Sequence, residues 1–127
     1  LRNFLGSASS EKAIFIVTHF PLHSAGNRTT KNAAAVISVL NEYGDDHDIY
    51  FLWGHNHTNA NSSESNYDKI IKDKIPGTNT AINFTYAAAG CMSDSEYSGG
   101  SAAVSGKGLV ATIQNGEVTD LKYYGKN

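Results

Sequence analysis

Cysteine is almost missing from this sequence. Cys91 is the only one in 127 residues, which excludes a disulfide framework and any zinc cluster built on two or more thiolates. A small buried apolar residue is the expectation for it. Long apolar runs are missing as well: stretches such as residues 13–17 and 49–53 fall far short of the roughly 20 residues that span a bilayer. No membrane partner is expected. Charge of either sign is not in excess, and a formal net charge of -2 with a pI near 6.2 sets up no basic field to draw in nucleic acid. A bound metal could still hold a phosphate without such a field.

No methionine stands at position 1 and no signal-peptide pattern opens the chain. Instead Leu1, Phe4 and Leu5 read as the last amphipathic turns of a helix that began upstream. Asn27, Asn56, Asn61 and Asn83 each open an Asn-x-Ser/Thr triplet, but a chain this rich in Asn, Ser and Thr yields about two by chance. The compartment stays open.

What is present is an alternation of apolar patterns. A 40% apolar fraction over this length suits one compact core. After a Gly-Ser-rich turn at residues 6–10, the run Ala13-Ile14-Phe15-Ile16-Val17 has the continuous apolar character of a parallel strand buried on both faces. Pro21 cannot donate to a ladder and biases Phe20 away from helix, which leaves His19 at or just beyond the strand's carboxyl end. Ala33, Val36, Ile37 and Leu40 then recur at i, i+3, i+4 and i+7, one face of a helix, with Thr29 or Thr30 as N-cap and Gly44 as C-cap. A polar loop at residues 44–48 leads to a second apolar run, Ile49-Tyr50-Phe51-Leu52-Trp53, followed by Gly54-His55-Asn56-His57.

Strand, helix, strand is a βαβ unit, whose crossover is almost always right-handed and joins parallel strands. The carboxyl ends of both strands then emerge on one edge, where ligands gather in such sheets. His19, His55 and His57 are thereby expected to share that edge. Beyond them the chain is β-rich. Residues 81–88 read as a strand, and residues 108–114 and 117–124 as a hairpin closed by Asn115-Gly116. Between these lie a polar stretch at residues 58–67, a weak helical patch at Ile70 and Ile71, and a Gly-Ser-rich loop at residues 93–108.

Imidazole nitrogen suits zinc, iron or manganese, at roughly 2.0 to 2.1 Å for zinc. On an extended strand end His55 and His57 point the same way and can serve one ion or two adjacent ones, with Gly54 letting the backbone turn. Tyr50, Phe51 and Trp53 lie in an unbroken apolar run and are expected in the core rather than on a base-stacking surface.

The string Ile14-Phe15-Ile16-Val17-Thr18-His19-Phe20-Pro21-Leu22, followed by Gly54-His55-Asn56-His57, resembles the last two motifs of calcineurin-like metallophosphoesterases. The resemblance implies an α/β fold, the C-terminal half of an αββα sandwich, made here of a βαβ unit and a β-rich tail with a terminal hairpin. Residues 1–127 would form a single partial domain, with the N-terminal half as partner. His19 and His55 resemble the histidines that bind the second metal of a dinuclear centre, and His57 the histidine on the first. The implied cofactors are two divalent ions (Mn, Fe or Zn), and the implied reaction is hydrolysis of a phosphate ester. The family's earlier motifs, Asp-x-His, Gly-Asp-x-x-Asp and Gly-Asn-His-Asp/Glu, supply the carboxylates and a catalytic histidine. None is read in this chain, so no catalytic residue is assigned in it.

His23, Asn27 and Arg28 follow His19 in one loop and are candidates for contacting the substrate phosphate, the guanidinium by bidentate hydrogen bonds. An exposed loop histidine and a surface arginine are the plainer accounts. His47, in Gly44-Asp45-Asp46-His47-Asp48, is expected in a solvated loop. Two other classes fit three histidines: a metal-dependent hydrolase of another family, and a non-catalytic module that keeps them without carboxylates.

Overall fold

The computed structural model describes residues 1–25, 28–55, 69–91 and 107–125. Within them the chain runs α1 (Arg2–Ser7), β1 (Ile14–Thr18), α2 (Ala33–Tyr43), β2 (Ile49–Trp53), β3 (Ile70–Ile71), β4 (Thr85–Ala88), β5 (Gly90–Cys91), β6 (Lys107–Gln114) and β7 (Glu117–Gly125). The architecture is mixed α/β, with a four-stranded sheet ordered β1-β2-β4-β3 and a three-stranded sheet ordered β5-β6-β7.

The βαβ unit forms where the apolar periodicity places it. β1 and β2 pair in parallel from Ile14↔Ile49 to Thr18↔Trp53. β4 joins β2 in parallel, with Trp53 opposite Ala88. Thr18, Trp53 and Ala88 therefore end in line, and the residues after them lie on one carboxyl edge. α2 turns the predicted stripe inward: Ile37 and Leu40 are buried, and Ala33 and Val36 pack against the same core. Fully burying a side chain of this size stabilises by about 1.5–3 kcal/mol, so these two positions anchor the crossover. Ile14, Ile49, Phe51, Trp53, Phe84 and Tyr86 meet them in the core, with Leu5 from α1 and Leu22 from the loop after β1. Tyr50, Phe51 and Trp53 are core residues, at 6%, 1% and 0% exposure.

At the ends of α2 the C-cap is as expected and the N-cap is not. Its N-cap is Asn32, in left-handed backbone and without a side-chain cap bond. Thr30 and Thr29 instead donate their hydroxyls to the carbonyls of Phe20 (2.8 Å) and Pro21 (3.3 Å). They hold the loop after β1 rather than the helix. Gly44 is the C-cap, but in right-handed backbone; what demands glycine there is space. A Cβ would collide with the Asn83 side chain and stand 2.8 Å from its carbonyl oxygen. Asn83 in turn donates to the carbonyl of Asn41 (3.0 Å) and to the Asp45 carboxylate (3.0 Å), while Asn41 donates to the Ala81 carbonyl (2.9 Å). This latch ties the end of α2 to the approach of β4.

Other expectations are corrected. The apolar run of β1 predicts an interior strand, yet β1 is the first strand of its sheet and Val17 is 70% exposed. Periodicity reports that a strand is apolar on both faces; it does not report which neighbours are supplied. Ile70 and Ile71 form β3, an antiparallel strand against Ala87 and Tyr86, not a helical patch. Of residues 81–88 only the last four are in strand, Ala81 making an isolated bridge to Lys74. Gly6 and Ser7 belong to α1 rather than to a turn. Arg2 of α1 is paired with Glu42 of α2.

The terminal hairpin forms as predicted. Asn115 (φ 53°) and Gly116 (φ 90°) both take positive φ, as a type I′ turn requires. A register shift between Thr112 and Ile113 interrupts its ladder. The second sheet is tied to the first by Tyr123, whose hydroxyl donates to the Ala88 carbonyl at 2.6 Å, and by Leu109 N–H to the Ala89 carbonyl at 3.0 Å. Among the described residues no helix is long and apolar enough to cross a membrane.

Candidate metal centre

His19 is the first residue after β1, and His55 is separated from β2 by Gly54 alone. The Gly54 N–H faces the carbonyls of Thr18 (3.3 Å) and His19 (3.2 Å), which carries the parallel ladder past the strand ends and fixes the spacing of the two histidines. His55 Nδ1 lies 3.3 Å from His19 Nε2, with the rings edge to face at 5.3 Å between centroids. Phe20 closes one side, 4.8 Å from the His19 ring and 5.0 Å from that of His55. Two of the three histidines expected on one edge, His19 and His55, are thus within touching distance.

A separation of 3.3 Å is also that expected of two ligands on one ion. Two nitrogens each about 2.0–2.1 Å from a tetrahedral metal stand about 3.3–3.4 Å apart. His19 is exposed, while Pro21 and Leu22, which follow it in the chain, are buried. Among the described residues no group of three or more His, Cys, Asp or Glu side chains is arranged to hold a metal.

The backbone turns at His55, not at Gly54. His55 adopts φ 70°, a left-handed conformation in which histidine, asparagine and aspartate are the side chains most often found after glycine. A Cβ on Gly54 would make ordinary contact, 3.7 Å from the His19 carbonyl oxygen. The extended alternation that would point His55 and His57 the same way is therefore broken at His55. His57 lies outside the described residues, as does Asn27.

His23 is not an exposed loop histidine. It is 7% exposed, its Nδ1 lies 2.7 Å from the Tyr86 hydroxyl, and its ring stands edge-on to Trp53 at 5.0 Å. Burial drives its pKa down to about 4, because the charged form would lose its hydration. Burial likewise pushes the Tyr86 phenol well above its ordinary range. Arg28 is exposed, its backbone bridged to Ala25. Tyr86 carries no sequence signal beyond its place in an apolar stretch; its link to His23 spans 63 positions and belongs to tertiary structure.

His47 is half-buried rather than solvated, its nitrogens facing the carbonyls of Tyr43 (3.3 Å) and Ala8 (3.2 Å). Gly44-Asp45-Asp46-His47-Asp48 literally spells both Gly-Asp-x-x-Asp and Asp-x-His. It stands, however, at the amino end of β2, separated from the histidine edge by a five-residue strand, about 16 Å at 3.3 Å per residue. Its carboxylates Asp45 and Asp48 are bonded to Asn83 and to the Tyr50 hydroxyl. It cannot supply carboxylates to His19 and His55.

No family model matches the chain, and no curated protein or solved structure matches it either.

Proposed function

We propose that this chain forms the histidine edge of a metal-dependent phosphate-ester hydrolase of the calcineurin-like metallophosphoesterase type, the C-terminal half of its αββα sandwich. The observation that carries the reading is the 3.3 Å approach of His55 Nδ1 to His19 Nε2 at the carboxyl ends of two parallel strands. His19 and His55 would hold one divalent ion together, and His57 a second one. Bound there, a pair of divalent ions supplies charge neutralisation at the phosphoryl group and a nucleophilic hydroxide at neutral pH.

The chain's own residues set the geometry. β1 and β2 fix the distance between His19 and His55 through their parallel register, and Phe20 shields the rings on one side. The carboxylates that bridge and neutralise the ions come, on this reading, from the N-terminal half of the domain. His19→Ala and His55→Ala, made separately in the complete domain, are expected to lower hydrolysis of an aryl phosphate with Mn(II) supplied by at least about 100-fold, as loss of metal activation demands. Their bound metal is counted at the same time. Variants that keep both metal and activity would overturn the assignment.

A further inference from the structure

Donor accounting around Tyr86 settles the proton on His23. The phenol oxygen accepts the Leu22 N–H at 2.8 Å and meets His23 Nδ1 at 2.7 Å. Tyr86 is 0% exposed, and a phenol has a single hydrogen to give. If His23 carried its proton on Nδ1, the oxygen would accept twice and the phenol hydrogen would be sealed in the core without an acceptor, which costs about 1–3 kcal/mol. With O–H pointing at a bare Nδ1, each of these groups is satisfied. The ring hydrogen is then on Nε2. Burial resists a second proton, since the imidazolium would need the phenol to reverse and give up its only acceptor.

The loop and the strand end that hold this ring are those that carry His19 and His55. His23 is four residues beyond His19 on the loop that leaves β1, and its ring rests edge-on against Trp53, the last residue of β2.

We propose that Tyr86 is a positioning residue that locks His23 as its neutral Nε2–H tautomer, making His23 a hydrogen-bond donor to a phosphoryl oxygen at the histidine edge and not a further metal ligand. This rests on the phosphoesterase reading above. Such a donor aids the reaction by meeting charge that grows on the phosphoryl oxygens, and it needs no proton transfer to do so.

The test has two arms. In this chain labelled with 15N, long-range proton–nitrogen correlation is expected to show His23 in the Nε2–H form, and Tyr86→Phe is expected to release it into a mixture of tautomers. An Nδ1–H form in the unmodified chain overturns the lock. In the complete domain, with an aryl phosphate and Mn(II), His23→Phe keeps the packed ring but removes the donor. It is expected to lower kcat by about 100- to 1,000-fold, the order found for single oxyanion donors. His23→Gln, whose amide offers N–H at the same reach, is expected to recover much of the loss. Tyr86→Phe is expected to lower kcat by a smaller factor. Full activity of His23→Phe, with His19→Ala and His55→Ala inactive, removes the donor role and leaves the metal reading standing. Active His19→Ala and His55→Ala variants remove the metal reading itself, whatever tautomer His23 shows.

Discussion

Burial of His23 makes its protonation a matter of stability as well as of chemistry. Its folded pKa, driven down to about 4 by burial, lies below the roughly 6.5 of a free imidazole. Between those values the unfolded chain binds a proton that the folded chain refuses, so stability must fall as pH falls through that window. The expected loss between pH 6.5 and 4 is on the order of 2–3 kcal/mol, at about 1.4 kcal/mol per pKa unit. Denaturant titrations at several pH values measure it, and His23→Phe should flatten the dependence. A profile unchanged by that substitution would mean that other groups carry the acid sensitivity. His55 makes a different case, a site residue whose unusual feature is its backbone. It is held at φ 70°, a conformation glycine adopts freely. His55→Gly is expected to leave stability within about 1 kcal/mol of the parent while removing metal binding at the edge. Thermal unfolding and metal titration of the same sample separate the two effects.

At the scale of elements, the two parallel strands and α2 stand where the apolar periodicities put them because those patterns are local consequences of 2.0 and 3.6 residue repeats. Positions that depend on a distant partner were not legible in the same way. Gly44 reads as a C-cap and is one, but in right-handed backbone, and what calls for glycine there is the close approach of Asn83. Gly44→Ala is accordingly expected to destabilise by about 1–3 kcal/mol, an overpacking cost, through the Asn41–Asn83 latch. Were the cost instead about that of an exposed helix end, within ±0.5 kcal/mol, the close approach would not matter. Ile70 and Ile71 could not be assigned to β3 from two residues alone; the edge of β4 selects their conformation. β1 reads as an interior strand from composition, and its actual place at the end of the order β1-β2-β4-β3 depends on which strands are there to pair.

For the whole molecule, the ligand count governs what it can do alone. Neutral imidazoles offset none of the charge on a pair of divalent ions, and no carboxylate joins His19 and His55 among the described residues. On the proposed reading the 127-residue chain is therefore expected to bind divalent metal weakly and to hydrolyse an aryl phosphate negligibly, and a complete domain to be active. Assays of both with Mn(II), Zn(II) or Fe(II) check this, and full activity from the chain alone would falsify the ligand count.

The sequence by itself determined the βαβ unit, the terminal hairpin at Asn115-Gly116 and the meeting of His19 with His55, because helix and strand periodicity and crossover handedness are properties of the chain that need no distant contact. Only the tertiary structure decided that His23 is buried against Tyr86 and Trp53, that the turn falls on His55, and that the acidic run at residues 44–48 faces the opposite edge. Each of these rests on atoms brought together across many positions or on a backbone angle chosen by packing. Residue type and spacing leave such choices open until the core closes around them.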